Sequence, residues 1–148
     1  MKKETVASKV CIDASLALKL VFSEADSDRA ETEWQNWIQS GNEVIAPFLF
    51  IYETTSVLCN RVYRREITQS EAEEALGILA GLRITYLHPP ALRQAAWQLA
   101  RRFNRPTAYD SFYLALAQLE GCPFWTGDRR LYSAVKNGLE WVYVLTES

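Results

Sequence analysis

Residues 109–128, YDSFYLALAQLEGCPFWTGD, are almost wholly apolar between two carboxylates, Asp110 and Asp128. The first part reads as a helix from about Thr107 to Glu120, closed by Gly121, and Pro123 to Thr126 as a short strand. Asp128 then stands where it can cap a further helix running from Arg129 to about Asn137. A helix that feeds a strand that feeds a helix is the repeating unit of a parallel sheet.

Outward from this stretch the same alternation continues. Val10 to Asp13 reads as a buried strand leading into a helical segment, Ser15 to Phe22. Ala30, Trp34, Trp37 and Ile38 recur at helical spacing, which predicts one apolar face used for packing, and Gly41 closes that helix. Glu43 to Ala46 is a second strand, and Pro47 suits the first turn of a helix reaching about Leu58. Thr68-Gln69-Ser70-Glu71 has the form of a capping box and opens a helix through about Leu82. Thr85 to Leu87 reads as a third strand. After Pro89-Pro90 comes a helix to about Phe103, with Leu92, Ala96, Leu99 and Ala100 on one side. Trp141 to Leu145 makes a fifth strand. The expected fold is α/β: a three-layer α/β/α sandwich around a mostly parallel five-stranded sheet. The 148 residues suit one domain, 1–148, with a polar N-terminal extension over 1–8.

Composition narrows the function. The apolar run Ala46 to Tyr52 contains Pro47 and is far shorter than the roughly 18 residues of a membrane span. The charged N-terminus has no apolar stretch of the signal-peptide kind, so a cytoplasmic protein is expected. Cys11, Cys59 and Cys122 are far apart and form no C-x-x-C pair, which argues against a disulfide framework and a zinc site; each is expected to be a small buried hydrophobe. His88, the single histidine, reads as a loop residue. The net charge is −2, yet arginines cluster as Arg61, Arg64 and Arg65, as Arg101, Arg102 and Arg105, and as Arg129 with Arg130. These are either solvated helix surfaces or contacts for a nucleic-acid backbone.

Three carboxylates have structural explanations. Asp13 and Asp128 can cap helices, and Asp110 stands three residues after Thr107, at the far end of a possible cap. Those same explanations put them beside the carboxyl ends of strands, where open α/β sheets bind ligands. Glu53 is different, because it falls inside a helix among Leu49, Phe50 and Val57. A carboxylate on such a face must be neutral, bound to a cation, or paired, with Arg61 the nearest candidate. Four converging carboxylates repel one another unless a cation sits among them. Oxygen donors without Cys or His favour Mg²⁺ or Mn²⁺ over zinc. Such a cation polarises a phosphodiester and lowers the pKa of bound water, chemistry that needs no histidine base. Without those four charges the rest of the chain sums to +2, so Arg61, Arg64, Arg65, Arg105, Arg129 and Arg130 become candidate RNA-backbone contacts.

Four segments together resemble the PIN-domain family of metal-dependent ribonucleases, in particular the VapC-type toxins of bacterial toxin–antitoxin pairs. They are Ile12-Asp13-Ala14-Ser15, the run Ala46 to Glu53, Tyr109-Asp110-Ser111-Phe112-Tyr113-Leu114-Ala115-Leu116-Ala117, and Thr126-Gly127-Asp128-Arg129-Arg130-Leu131. The resemblance extends from about Val10 to Val144. It implies an endoribonuclease in which Asp13, Glu53, Asp110 and Asp128 hold Mg²⁺ or Mn²⁺, with Ser15 and Thr126 as supporting hydroxyls. It also implies a homodimer and a cognate antitoxin protein. Gly127 stands where many relatives carry Ala, a departure expected to be harmless. No acidic residue follows closely after Asp128, which leaves one or two ions open. Other readings are a PIN protein of RNA processing and a non-catalytic binding domain. A phosphatase using Asp-x-Asp is disfavoured, because Ser15 occupies the second position.

Overall fold

Short β-branched and aromatic runs build the sheet, and longer segments of helical periodicity cover it. The computed structural model describes residues 8–146, so the expected 1–8 extension lies outside the described residues except for Ser8. The elements are β1 (Lys9–Ile12), α1 (Ala14–Val21), α2 (Ser27–Gln39), β2 (Glu43–Ala46), α3 (Leu49–Tyr63), α4 (Gln69–Gly81), β3 (Ile84–Tyr86), α5 (Leu92–Arg102), α6 (Tyr109–Glu120), β4 (Phe124–Thr126), α7 (Arg129–Val135) and β5 (Val142–Val144). Among the described residues these strands form one sheet in the order β3-β2-β1-β4-β5, and every neighbouring pair is parallel.

The chain first walks outward, β1 to β2 to β3, then returns to the other side of β1 as β4. Right-handed crossovers therefore put α1–α4 on one face and α5–α7 on the other. The reversal of direction falls between β1 and β4, where side chains at the strand ends meet across an open crevice. The core between the layers includes Ile12, Leu16, Ile45, Phe50, Tyr113, Leu114, Leu116, Phe124 and Leu131, each nearly or fully enclosed.

Trp34 and Trp37 are buried, and Trp37 meets Trp125 of β4 edge-on at 5.8 Å, so the two tryptophans do pack. Ile38 does not share their face and is 42% exposed. At 100° per residue it lies about 80° round from Ala30, outside the stripe that Trp34 and Trp37 fill. Cys59 corrects another expectation: Cys11 and Cys122 are buried, but Cys59 is exposed because its neighbour Leu58 takes the inward face of α3. α3 itself runs on to Tyr63, past Leu58, since Val62 adds a further turn of contact with the core. His88 lies in the β3–α5 loop, as expected.

The capping box forms as the sequence predicts. The Glu71 amide donates to Thr68 Oγ1 at 3.1 Å, and the Thr68 amide donates to Glu71 Oε1 at 3.0 Å. Thr68→Ala is expected to lower the unfolding free energy by about 1 kcal/mol in urea denaturation, because the Glu71 amide in the first turn of α4 loses its acceptor.

Candidate functional site

β1 and β4 run side by side with Cys11 opposite Phe124 and Ile12 opposite Trp125. Continuing that register brings Asp13 beside Thr126. The Thr126 hydroxyl donates to Asp13 Oδ2 at 2.5 Å, and Thr126 Oγ1 accepts from the Asp128 amide at 2.9 Å. Ser15 Oγ donates to Asp13 Oδ1 at 2.7 Å and accepts from the Gly127 amide at 2.9 Å. Each hydroxyl has spent its one proton on Asp13, so the 3.3 Å approach of Ser15 Oγ to Thr126 Oγ1 is proximity more than a bond. A Cβ added at Gly127 would stand 3.3 Å from the Ser15 backbone and Oγ. Ser15 would have to give way by a few tenths of an ångström.

The capping roles are also real. Asp13 Oδ1 accepts from the Leu16 amide at 3.0 Å, and Asp128 Oδ1 accepts from Arg130 at 2.9 Å and Leu131 at 3.2 Å. Capping and convergence are therefore compatible, because the helix starts themselves lie at the crevice. Asp110 is the exception. α6 begins after Ala108 with no side-chain cap, so the Thr107–Asp110 arrangement does not form. Asp110 Oδ2 instead faces Arg105 at 3.6 Å.

Glu53 does not pair with Arg61, which reaches Glu24 at 3.4 Å and covers the Phe22 ring at 4.6 Å. Its partner is Tyr113 of α6, whose hydroxyl donates to Glu53 Oε1 at 2.5 Å. Tyr113 is buried and lies one helical turn after Asp110, on the same face. The sequence reading gave it no role. Its signal was available in the Tyr-Asp-x-x-Tyr spacing, which turns the second tyrosine toward the first carboxylate.

Electrostatics ties the other three carboxylates to Asp110. Burial pushes the Asp13 carboxyl up to about 6, against hydrogen bonds from Thr126, Ser15 and Leu16, and the charge of Asp110 adds to the rise. Burial, and then Asp110, also raise Glu53 against the pull of Tyr113. Asp110 is raised by burial and by Asp128, with Arg105 pulling the other way. Asp128 Oδ2, Glu53 Oε2 and Asp110 Oδ1 accept no hydrogen bond among the described residues, and Asp13 Oδ2 accepts only one. This donor set suits a hard divalent cation. As arranged, no group of three or more His, Cys, Asp or Glu among the described residues is poised to hold a metal ion.

The candidate arginines separate into two kinds. Arg61 is engaged by Glu24 and Phe22, whereas Arg64 and Arg65 are exposed at the end of α3, where Arg64 reaches Glu66 at 4.0 Å. Arg129 and Arg130 are exposed in the first turn of α7, next to Asp128. No helix among the described residues is long and apolar enough to cross a membrane.

Comparisons with known proteins bear on the family and the fold. Ribonuclease VapC1 of Mycobacterium tuberculosis is 38% identical over 90 residues, 60% of this chain and 65% of that protein. The chain thus spans less than two thirds of that curated relative. VapBC2 from Rickettsia felis, solved bound to a DNA fragment from their promoter, superposes with a TM-score of 0.67 at 8% identity, covering 91% of this chain and 96% of that one. VapC20 of M. tuberculosis, described as a Sarcin-Ricin loop cleaving toxin, gives a TM-score of 0.60 at 20% identity, covering 84% and 94%. At these identities the two structures speak for the fold alone. The PIN domain model matches residues 10–137, a span that takes in all four carboxylates and both supporting hydroxyls; the chain belongs to the PIN domain family.

Proposed function

We propose that the chain is an endoribonuclease that hydrolyses RNA phosphodiester bonds with Mg²⁺ or Mn²⁺, and that it is the toxin of a toxin–antitoxin pair. The observation that supports this reading is that the charge of Asp110 acts on both Asp13 and Glu53, and that of Asp128 on Asp110, in a chain of the PIN family. The likeness to Ribonuclease VapC1 supports the same chemistry.

In this reading Asp13, Glu53, Asp110 and Asp128 would hold the cation. A bound divalent cation supplies the charge that polarises the phosphodiester and acidifies water. Ser15 and Thr126 fix Asp13, and Tyr113 fixes Glu53, so both ligands are oriented before the ion arrives. Arg105, 3.6 Å from Asp110, offsets part of its charge, and were a cation to take over that role Arg105 would be close enough to the site to meet a phosphate. Arg64, Arg65, Arg129 and Arg130 hold the RNA backbone without reading sequence. The partners are RNA, a small antitoxin protein and a second copy of the chain, and the compartment is the cytoplasm.

The test is incubation of the purified protein with single-stranded and looped RNAs in millimolar Mn²⁺ or Mg²⁺, then in EDTA. Cleavage is expected only with the cation. In a parallel melt, Mn²⁺ at about ten times its Kd adds about 1.4 kcal/mol, which raises Tm by about 3–6 °C. Cleavage undiminished by EDTA, or no cleavage and no thermal shift, overturns the reading.

A further inference from the structure

Between Ala75 and Tyr109 the chain contains no Asp or Glu, while it carries Arg83, Arg93, Arg101, Arg102 and Arg105. In a protein of net charge −2 this is a strong local excess. The segment includes β3, α5 and the approach to α6, and its surface borders Asp110.

A cleft of about 410 Å³ opens between the start of α3 and the start of α6, with Phe48, Tyr52, Tyr109 and Phe112 among its walls. Phe112 also lines a second hollow of about 580 Å³, with Arg93 and Trp97 on α5. Tyr52, Tyr109 and Trp97 are 65%, 60% and 63% exposed, so these rings do not hold the core together. Phe48 is held in place by stacking on Tyr86 at 6.0 Å. Tyr52 immediately precedes Glu53 and Tyr109 immediately precedes Asp110, so the rings stand one residue from two of the four carboxylates. Arg93 is exposed and has no partner among the described residues. Aromatic faces next to an unpaired arginine suit single-stranded nucleic acid, because every base has a π-face and every linkage a negative charge. A two-fold contact with a second copy centred here would instead press α5 arginines against α5 arginines, with no acid on that helix to offset them.

We propose that this cleft is a base-binding subsite for single-stranded RNA, in which an unpaired base beside the scissile phosphate lies against Tyr52 and Tyr109 while a neighbouring phosphate meets Arg93. The proposal rests on the ribonuclease reading and adds to it the residues that would hold an unpaired base next to the site. A base within a duplex has both faces covered and is excluded, so loops and unpaired segments are selected by geometry and not by base identity.

The probe is a short fluorescent oligoribonucleotide in EDTA, where binding is read without cleavage. The Tyr52→Ala, Tyr109→Ala double variant is expected to bind about tenfold more weakly than wild type. One abasic nucleotide should cost wild type a similar factor and cost the double variant almost nothing further. The corresponding Phe pair keeps both rings and recovers most of the lost affinity, which separates stacking from misfolding. Equal affinity of the Ala pair and wild type overturns the subsite. So does conversion of a dimer to a monomer in the Ala pair, by sedimentation, with affinity per protomer unchanged, since the face would then join two copies. Absence of base-dependent binding in wild-type protein that cleaves RNA with Mn²⁺ is a failure of the subsite alone. Base-dependent binding in a protein that cleaves no RNA with Mn²⁺ is a failure of the ribonuclease reading alone.

Discussion

Asp13→Asn is expected to lower RNA cleavage at least about a hundredfold while making the cation-free protein more stable at neutral pH. Asn keeps the shape of Asp and can still accept the Leu16 amide that caps α1. It cannot offer a charged oxygen to Mg²⁺ or Mn²⁺. The gain in stability follows from burial, which lifts the Asp13 carboxyl to about 6 in the folded protein from an ordinary value of 3.8. Between about pH 4 and pH 6 the folded state keeps a proton that the unfolded chain has released. The contribution of Asp13 is therefore most favourable below pH 4 and falls as pH rises through 6, by about 3 kcal/mol in all. Urea unfolding of wild type without divalent cations should show this decline, steepened by Glu53 and Asp110, whose shifts have the same sign. In Asp13→Asn the slope should flatten, with a gain of about 1–3 kcal/mol above pH 7. A variant that cleaves RNA like wild type would remove Asp13 from the reaction. An unchanged pH slope would mean that its carboxyl is solvated.

Tyr113→Phe is expected to lower cleavage about 10–100-fold and to raise the Mn²⁺ concentration for half-maximal activity about tenfold. The ring would still pack on Phe124, whose centroid lies 6.3 Å away, so the fold survives with a loss of about 1–3 kcal/mol. What disappears is the hydroxyl that donates to Glu53 Oε1. Without it Glu53 is free to rotate and its carboxyl rises further, since the Tyr113 hydrogen bond favours the ionised form. The acid limb of the pH–rate profile should then move to higher pH. A purely structural tyrosine would leave both the Mn²⁺ requirement and the acid limb in place, and that outcome would sink the role given to it here.

Much of the fold was legible because it follows from local rules. The Thr68–Glu71 box sets the start of α4 with atoms three residues apart, and Gly121 ends α6 with φ at 63°, where other residues are strained. Alternation of strand and helix patterns fixed the parallel sheet, since parallel strands need crossovers. The misreadings were also local. Ile38 and Cys59 are apolar residues adjacent to buried ones, and sequence alone does not say how wide the buried stripe of a helix will be. That width depends on what packs against it.

The sequence by itself singled out four carboxylates and placed three of them, Asp13, Asp110 and Asp128, near strand ends or helix starts, because capping chemistry and the strand–helix alternation constrain those positions from within the chain. It also marked Glu53 as a carboxylate that no cap explains. The partners were decided only in three dimensions. Glu53 chose Tyr113, sixty residues away, over Arg61, eight residues away on its own helix, because Arg61 is drawn to Glu24 and Phe22 while α6 carries the Tyr113 hydroxyl to Glu53. Asp110 left its cap for Arg105. Position along the chain is a short-range property of dihedral angles and spacing. The choice among partners compares desolvation and contact energies across the whole packed sheet, and those exist only once the layers close over it.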